Sequence, residues 1–300
     1  MMKVLITGAS GLIGKRIRQN IKPGHITWVA LSRKVRKPEA NTQWIQWDAL
    51  QRSAPWDEIG PVDGIINLMG EGIADKRWSP TRKKLLVNSR VLGTDNLLKP
   101  LEKMNLRPQW YLGASAVGFY GIDPPGICSA VSPPGKDFLG QTCIAWERAH
   151  ERARSLGMRV AVLRIGLVLD PSGGLLKKMS TPFKLGLGGP LGDGHQGMSW
   201  IHIEDLVRIF AYLLDNPVQG AFNGCTPGAV SNRVFSQVLA KTLGRPCFFA
   251  APALVLRLVF GEMAQAILGG QLVVPEKLQN AGFQFHFPDL EKALKNLLNK

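Results

Sequence analysis

The heptapeptide Gly8-Ala9-Ser10-Gly11-Leu12-Ile13-Gly14 stands directly after the apolar run Val4-Leu5-Ile6 and opens a stretch whose periodicity predicts a helix from about Leu12 to Ile21. Nothing else in the chain restricts its fold as strongly. A G-x-x-G-x-x-G sequence between a strand and a helix is the turn of a βαβ unit. Its glycines permit the tight bend and the close approach of backbone to a pyrophosphate, while the first-turn amides and the helix dipole face the negative charge.

The rest of the chain keeps the same rhythm. Short apolar runs at Thr27 to Leu31, Trp44 to Trp47, Gly64 to Leu68, Trp110 to Gly113 and Val160 to Leu163 alternate with helical periodicity. A parallel sheet buried on both faces requires that pattern. The expected fold class is α/β, a doubly wound parallel sheet of the Rossmann type. Beyond about Pro171 the rhythm breaks into Gly- and Pro-rich loops, notably Gly186 to Gly194, before a helix near Ile203 to Leu214. We therefore expect a nucleotide-binding domain over 1–170 and a smaller substrate lobe over 171–300, ending in a helix at Leu290 to Leu298, with some elements returning to the first domain.

Composition narrows the remaining classes. In 300 residues, a hydrophobic share of 45% with a charged share of 20% is that of a globular chain with a large core. Cys128, Cys143, Cys225 and Cys247 lie far apart with no Cys/His ligand spacing, so neither a metal site nor a disulfide framework is expected, and free thiols point to a cytoplasmic location. The longest apolar stretch, Pro252 to Val274, is broken by Arg257, Gly261 and Glu262, which predicts a packed amphipathic helix and no membrane span. The net charge of +15 attracts polyanions, but no nucleic-acid module accompanies it. A basic surface that favours a phosphate-rich cofactor, with a small-molecule substrate and no nucleic acid, is the expectation; the oligomeric state is left open.

Which dinucleotide is bound is decided at the end of the second strand, where a carboxylate would accept from the ribose hydroxyls of NAD. That place reads Leu31-Ser32-Arg33-Lys34, one hydroxyl and two cations suited to a 2′-phosphate, which predicts NADP. Asp48 falls near the expected adenine position and equally suits a helix N-cap. Leu68-Met69-Gly70 ends the fourth strand under the cofactor, Gly70 allowing close approach.

These residues resemble the extended short-chain dehydrogenase/reductase superfamily, which includes nucleotide-sugar epimerases and dehydratases, over nearly the whole chain. Asn67 to Glu71, Lys76-Arg77-Trp78, Pro182 to Gly189 and Trp200 to Asp205 resemble an atypical branch within it, the epimerase-family proteins, with an NADP-type fingerprint and a distinctive C-terminal segment. The resemblance implies an oxidoreductase or epimerase, yet the superfamily's Tyr-x-x-x-Lys pair is missing: alignment through Ala145-Trp146-Glu147 puts Leu139 and Cys143 in its place. Neither supplies the cation that stabilises a phenolate.

By the same resemblance Ala114 and Ser115 occupy the catalytic strand end, where Ser115 would bond a substrate oxygen. Tyr120 is a substitute acid or core packing, and Cys143 a reactive thiol or inert packing. Arg90 is a phosphate or ribose contact or a surface charge. Gly166 and Leu167 are backbone contacts to the nicotinamide amide, and Arg77, Trp78, Trp200 and His202 are candidates to line the substrate cleft, His202 being otherwise a satisfied structural histidine. The leading expectation is an NADP(H)-dependent oxidoreductase or epimerase acting on a small polar substrate. The alternative is a catalytically weak NADP(H)-binding sensor or regulator.

Overall fold

The computed structural model describes residues 1–22 and 24–298. In chain order its strands are β1 (Met2–Thr7), β2 (Ile26–Ser32), β3 (Thr42–Gln46), β4 (Gly64–Asn67), β5 (Trp110–Ala116), β6 (Ile127–Cys128), β7 (Arg159–Ile165) and β8 (Leu167–Asp170). Five follow: β9 (Gly197–Met198), β10 (Trp200–His202), β11 (Gly220–Gly224), β12 (Val230–Ser231) and β13 (Leu272–Val273). The helices are α1 (Leu12–Asn20), α2 (Trp56–Ile59), α3 (Pro80–Asn88), α4 (Val91–Leu98), α5 (Phe138–Ser155) and α6 (Gly174–Lys184). They continue with α7 (Ile203–Asp215), α8 (Asn232–Thr242), α9 (Ala253–Phe260), α10 (Ala264–Leu268), α11 (Glu276–Asn280) and α12 (Leu290–Leu298).

Seven strands form one parallel sheet in the order β11-β7-β5-β4-β1-β2-β3. The doubly wound fold expected from the apolar runs is thus present. Alternation along the strands explains why those runs are continuous. Val4 and Ile6 of β1 join the core under α1 and α7, whereas Leu5 joins a second core with Leu97, Leu98 and Ala153 on the opposite face. The chain moves outward from β1 through β2 to β3, then returns to add β4 on the other side. The crevice at this reversal is where such sheets bind ligands.

The chain beyond 170 is not a separate body throughout, because β11 completes the main sheet beside β7 and α7 packs on α1. Small two-stranded ladders, β8 with β10, β9 with β12 and β6 with β13, tie the remaining segments together. The stretch from Pro252 to Val274 departs from the single packed helix expected of it. Gly261, at φ +60°, ends α9, and Gly270 passes so close to Gly197 that a Cβ would lie 2.0 Å from its carbonyl oxygen. Two short helices and β13 result, with Leu254 and Leu258 of α9 exposed. Among the described residues no helix is long and apolar enough to cross a membrane.

Candidate functional site

The loop after β1 carries the glycine turn into α1. Gly8 adopts φ +63° and its missing side chain leaves room for Leu68, since a Cβ would stand 2.7 Å from the Leu68 carbonyl oxygen. Gly14 faces inward, where a Cβ would meet Gly8 O at 2.4 Å. Gly11 is different. It is exposed, has an ordinary φ of −74°, and a Cβ there would touch only Gly8 O at 3.2 Å. Packing and backbone conformation bear far harder on glycine at 8 and 14 than at 11, where Gly8 O would have to give by only a few tenths of an ångström and the residue opens onto a groove of about 270 Å³. The N-terminus of α1 has no side-chain cap and no acidic residue in its first turn, so its amides are free to meet an anion.

Gly8, Ser10, Gly11, Ser32, Arg33, Asp48, Leu68, Met69 and Gly70 come together along this groove, as do Thr7, Leu50 and Glu71. Ala9 and Ala114 are buried beneath it, Leu12 and Ile13 are half-buried on α1, and Lys34 is exposed beyond its edge. At the end of β2 the Ser32 hydroxyl accepts from the Lys34 amide at 3.2 Å. The exposed Arg33 donates to Glu71 at 2.7 Å. Burial opposes ionisation of Glu71, but hydrogen bonding to Arg82 and the charge of Arg33 outweigh it and hold the carboxyl below its ordinary range. Asp48 accepts from the Leu50 amide at 3.0 Å, a local turn contact at the groove wall.

Past Gly70 the groove meets a second cavity, of about 480 Å³, between the main sheet and the C-terminal segments. Arg90 lies at the junction. It is buried, its Cζ sits 3.0 Å from where a Gly70 Cβ would be, and its guanidinium donates to the carbonyls of Leu86 at 2.9 Å and Glu71 at 3.0 Å. The ring of Trp146 lies 5.0 Å from it. Arg90 forms no ion pair among the described residues, and burial lowers its pKa from the ordinary value. The surface-charge alternative for this residue is corrected. Cys143, Gly166 and Leu167 also line the cavity, together with Leu139, Met179, Met198 and Ile267, so its wall is predominantly apolar.

Residues 4–224 match the model described as the NAD dependent epimerase/dehydratase family. The chain belongs to that family. Residues 251–297 match a second model, "Domain of unknown function (DUF1731)". Over 306 residues this family member is 33% identical to Epimerase family protein SH2119 of Staphylococcus haemolyticus, all of both chains being covered. Over 293 residues it is 35% identical to Epimerase family protein Mb2239 of Mycobacterium bovis, covering 97% and 96% of the two chains. Among solved structures it is similar to human epimerase family protein SDR39U1 with NADPH, at TM-score 0.87 and 33% identity over 99% of each chain. A nucleoside-diphosphate sugar epimerase from Corynebacterium glutamicum follows at TM-score 0.79 and 31% identity, over 99% of this chain and 58% of that one. The resemblance read from the residues is borne out.

Several polar groups expected to meet a substrate in this family member are engaged elsewhere. Ser115 Oγ donates to Glu147 at 2.7 Å, and Arg164 grips the same carboxylate with two bonds of 2.9 Å. Tyr120 donates to Asn223 at 2.5 Å and accepts from Arg164 at 3.0 Å. Half-buried Glu147 and buried Arg164 thus form a hub, legible in sequence only as isolated charges. Trp200 is fully buried with its indole donating to Gly228 O at 2.8 Å, and His202 caps α7, stacks on Phe287 and approaches Asn296 at 3.2 Å. Neither lines the cavity; both knit the C-terminal segment to the core. Arg77 is exposed beside Gly261, while half-buried Trp78 donates to Ile73 O at 3.0 Å and so supports a residue of the cavity wall. Cys143 reaches the cavity as a neutral thiol, because burial, reinforced by Glu147, pushes it up to about 11.

Proposed function

We propose that this protein binds NADP(H) along the groove at the sheet reversal and acts as an oxidoreductase or epimerase-like enzyme on a small molecule held in the adjoining cavity. The observation that carries the reading is Gly11. Its glycine is demanded far less by the protein's own packing and backbone than Gly8 or Gly14, and it suits close approach of a pyrophosphate to the uncapped α1 amides. Ser32 and Arg33 at the far end suit a 2′-phosphate, and no carboxylate stands with them on β2. The nicotinamide, when bound, supplies hydride chemistry at its C4. Arg90 then stands where it would polarise an oxygen carried by the cavity's occupant, while the apolar wall excludes water.

Titration of NADPH and NADH against the parent protein and Arg33→Ala tests the cofactor reading. NADPH should bind the parent more tightly, and the substitution should weaken it on the order of tenfold while sparing NADH, since a charge-assisted hydrogen bond contributes about 1.5–3 kcal/mol. Equal curves for the two cofactors would overturn it.

A sensor or regulator with little turnover is the second reading. It is favoured by α5, which carries Leu139 and neutral Cys143 facing the cavity, and by Ser115, whose proton is committed to Glu147. Following NADPH absorbance over a broad panel of ketones and aldehydes separates the two readings. Turnover dependent on Arg90 favours the enzyme.

A further inference from the structure

Single apolar side chains scattered over a surface are ordinary, but a contiguous group of them marks a contact with something else. Among the described residues, eight of the fifteen exposed large apolar side chains stand in two stretches, 185–187 and 248–259. The two stretches are neighbours in space. The Ala251 amide donates to Pro190 O at 2.8 Å, the Gly192 amide donates to Ala251 O at 2.9 Å, and a Cβ on Gly189 would lie 2.2 Å from Phe249 O. Leu185 and Leu187 thus lie beside the chain at Phe248 and Phe249, with Phe248 82% exposed. α9 follows at once and turns outward the side that a packed helix hides. Leu254, Val255, Leu258 and Val259 share one side by their spacing and are exposed, while Leu256 on the other side is buried.

The charge around this face is of one sign. No Asp or Glu occurs in 171–192 or in 231–261, which hold seven Lys and Arg between them. Lys178 and Lys241 are paired with acids from other elements, Asp75 at 3.8 Å and Glu291 at 3.1 Å. Lys177, Lys184, Arg245 and Arg257 are exposed and form no ion pair among the described residues. Two copies of the chain pressed together through this face would set these cations against one another with no acid to receive them. A protein partner would in turn find little to bond, because from Pro246 to Leu256 no side chain carries a nitrogen or an oxygen. An anionic lipid surface meets both conditions: acyl chains accept apolar side chains without directional bonds, and the headgroups supply the countercharge.

We propose that this face docks on an anionic lipid bilayer. α9 lies in the plane of the interface with its exposed Leu and Val side chains and those of Phe248 and Phe249 at the acyl boundary, and Lys184, Arg245 and Arg257 meet the headgroups. With 8 residues α9 rests on a bilayer and does not span it. The chain then runs on through Met263, Ala266 and Ile267 of the cavity wall, which joins this face to the candidate site through one short helix. The docking does not depend on the cofactor reading.

Cosedimentation of the full chain with vesicles of phosphatidylcholine alone, and of phosphatidylcholine mixed with phosphatidylglycerol, tests it. A chain of net charge +15 is drawn to the anionic vesicles by its field alone, so the variants must separate this face from the general charge. Leu254→Ser with Leu258→Ser leaves every charge in place and should weaken partitioning onto the anionic vesicles at least about tenfold. Lys184→Glu with Arg257→Glu should do the same. Lys99→Glu with Lys103→Glu, an equal change of charge at exposed positions beside the core on the opposite face of the sheet, should alter it by less than about threefold. Urea midpoints near that of the parent show which variants fold.

Equal partitioning of the parent onto the two kinds of vesicle overturns the proposal, and failure to bind either hands the face to an acidic protein. Undiminished binding of the Leu254→Ser, Leu258→Ser protein reduces the attraction to net charge and overturns it too. So does an equal response to the two Glu pairs. A parent dimer in sedimentation equilibrium that the Ser pair dissociates would assign the face to a second copy instead. If the Ser pair does not fold, the two Glu pairs decide the matter between them.

Discussion

At the scale of single residues, the glycines of the first turn separate into two kinds that substitution can tell apart. Gly14→Ala forces a methyl group to within 2.4 Å of Gly8 O and 2.7 Å of Ala9 Cα, so backbone must move and the fold should lose about 1–3 kcal/mol in urea denaturation. Gly11→Val meets only Gly8 O at 3.2 Å, a milder obstacle; it should cost about 1 kcal/mol, less than Gly14→Ala, yet abolish NADPH binding. Retained NADPH binding in a folded Gly11→Val protein would remove the pyrophosphate from that position. Cys143 makes a second test. With the thiol held up to about 11, alkylation by iodoacetamide at neutral pH should be slow and rise steeply with pH. Cys143→Ser should leave NADPH affinity within about threefold, because one weak thiol hydrogen bond is all it removes.

Between elements, the site is held by a chain of hydrogen bonds whose donors can all be assigned. His150 Nε2 on α5 faces Ala114 O at 3.0 Å and must carry the proton, so Nδ1 accepts from the Tyr111 hydroxyl at 2.7 Å. Asn67 Nδ2 then donates to Tyr111 at 2.6 Å and to Thr94 at 3.0 Å, and Thr7 donates to Asn67 Oδ1 at 2.6 Å. The chain joins β1, β4, β5, α4 and α5 directly under the groove. Burial drops the His150 pKa to about 4, so the folded protein resists a proton that the unfolded chain accepts near its ordinary value of 6.5. Between those two values the unfolded state binds more protons, and stability is lost as pH falls through the window. At pH 5 the loss from this group should be about 2 kcal/mol relative to pH 7. His150→Gln should show a correspondingly shallower decline in urea midpoints over that interval; an unchanged slope would mean the histidine is not buried neutral.

Across the whole molecule, the C-terminal segment is fastened by contacts that reach back to α7. The Asp205 side chain is fully buried and accepts from the amides of His286 at 2.9 Å and Phe287 at 2.8 Å and from Arg208 at 2.8 Å. His202 stacks on Phe287 beside it. Removing the carboxylate leaves two amides and a guanidinium without their acceptor, so Asp205→Ala should destabilise the protein by about 3 kcal/mol. Hydrogen exchange should quicken first at the amides of His286 and Phe287. The same segment closes the apolar cavity through Ile267 and Gln271, so the variant should also weaken binding there while NADPH titrates normally.

Local chemistry makes much of this protein legible in its sequence. A glycine turn between an apolar run and a helical period can be one thing, and the uninterrupted apolar runs that follow need a sheet covered on both faces, because alternate residues of β1 enter opposite cores. The absence of a carboxylate after β2 and of a Tyr and Lys on α5 could likewise be read directly, since each depends on residue identity at a known offset from its element. What spacing along the chain does not carry is which side of an element meets which distant partner. Ser115 and Tyr120 stand on the strand end and the turn that their sequence predicts, but only packing brings Glu147, Arg164 and Asn223 to them and engages their polar atoms. Trp200 and His202 were drawn into the core for the same reason, by Gly228 and Phe287 arriving from later in the chain. The apolar character of the cavity exists only where segments from 73 to 271 converge, because burial is a property of neighbours in space.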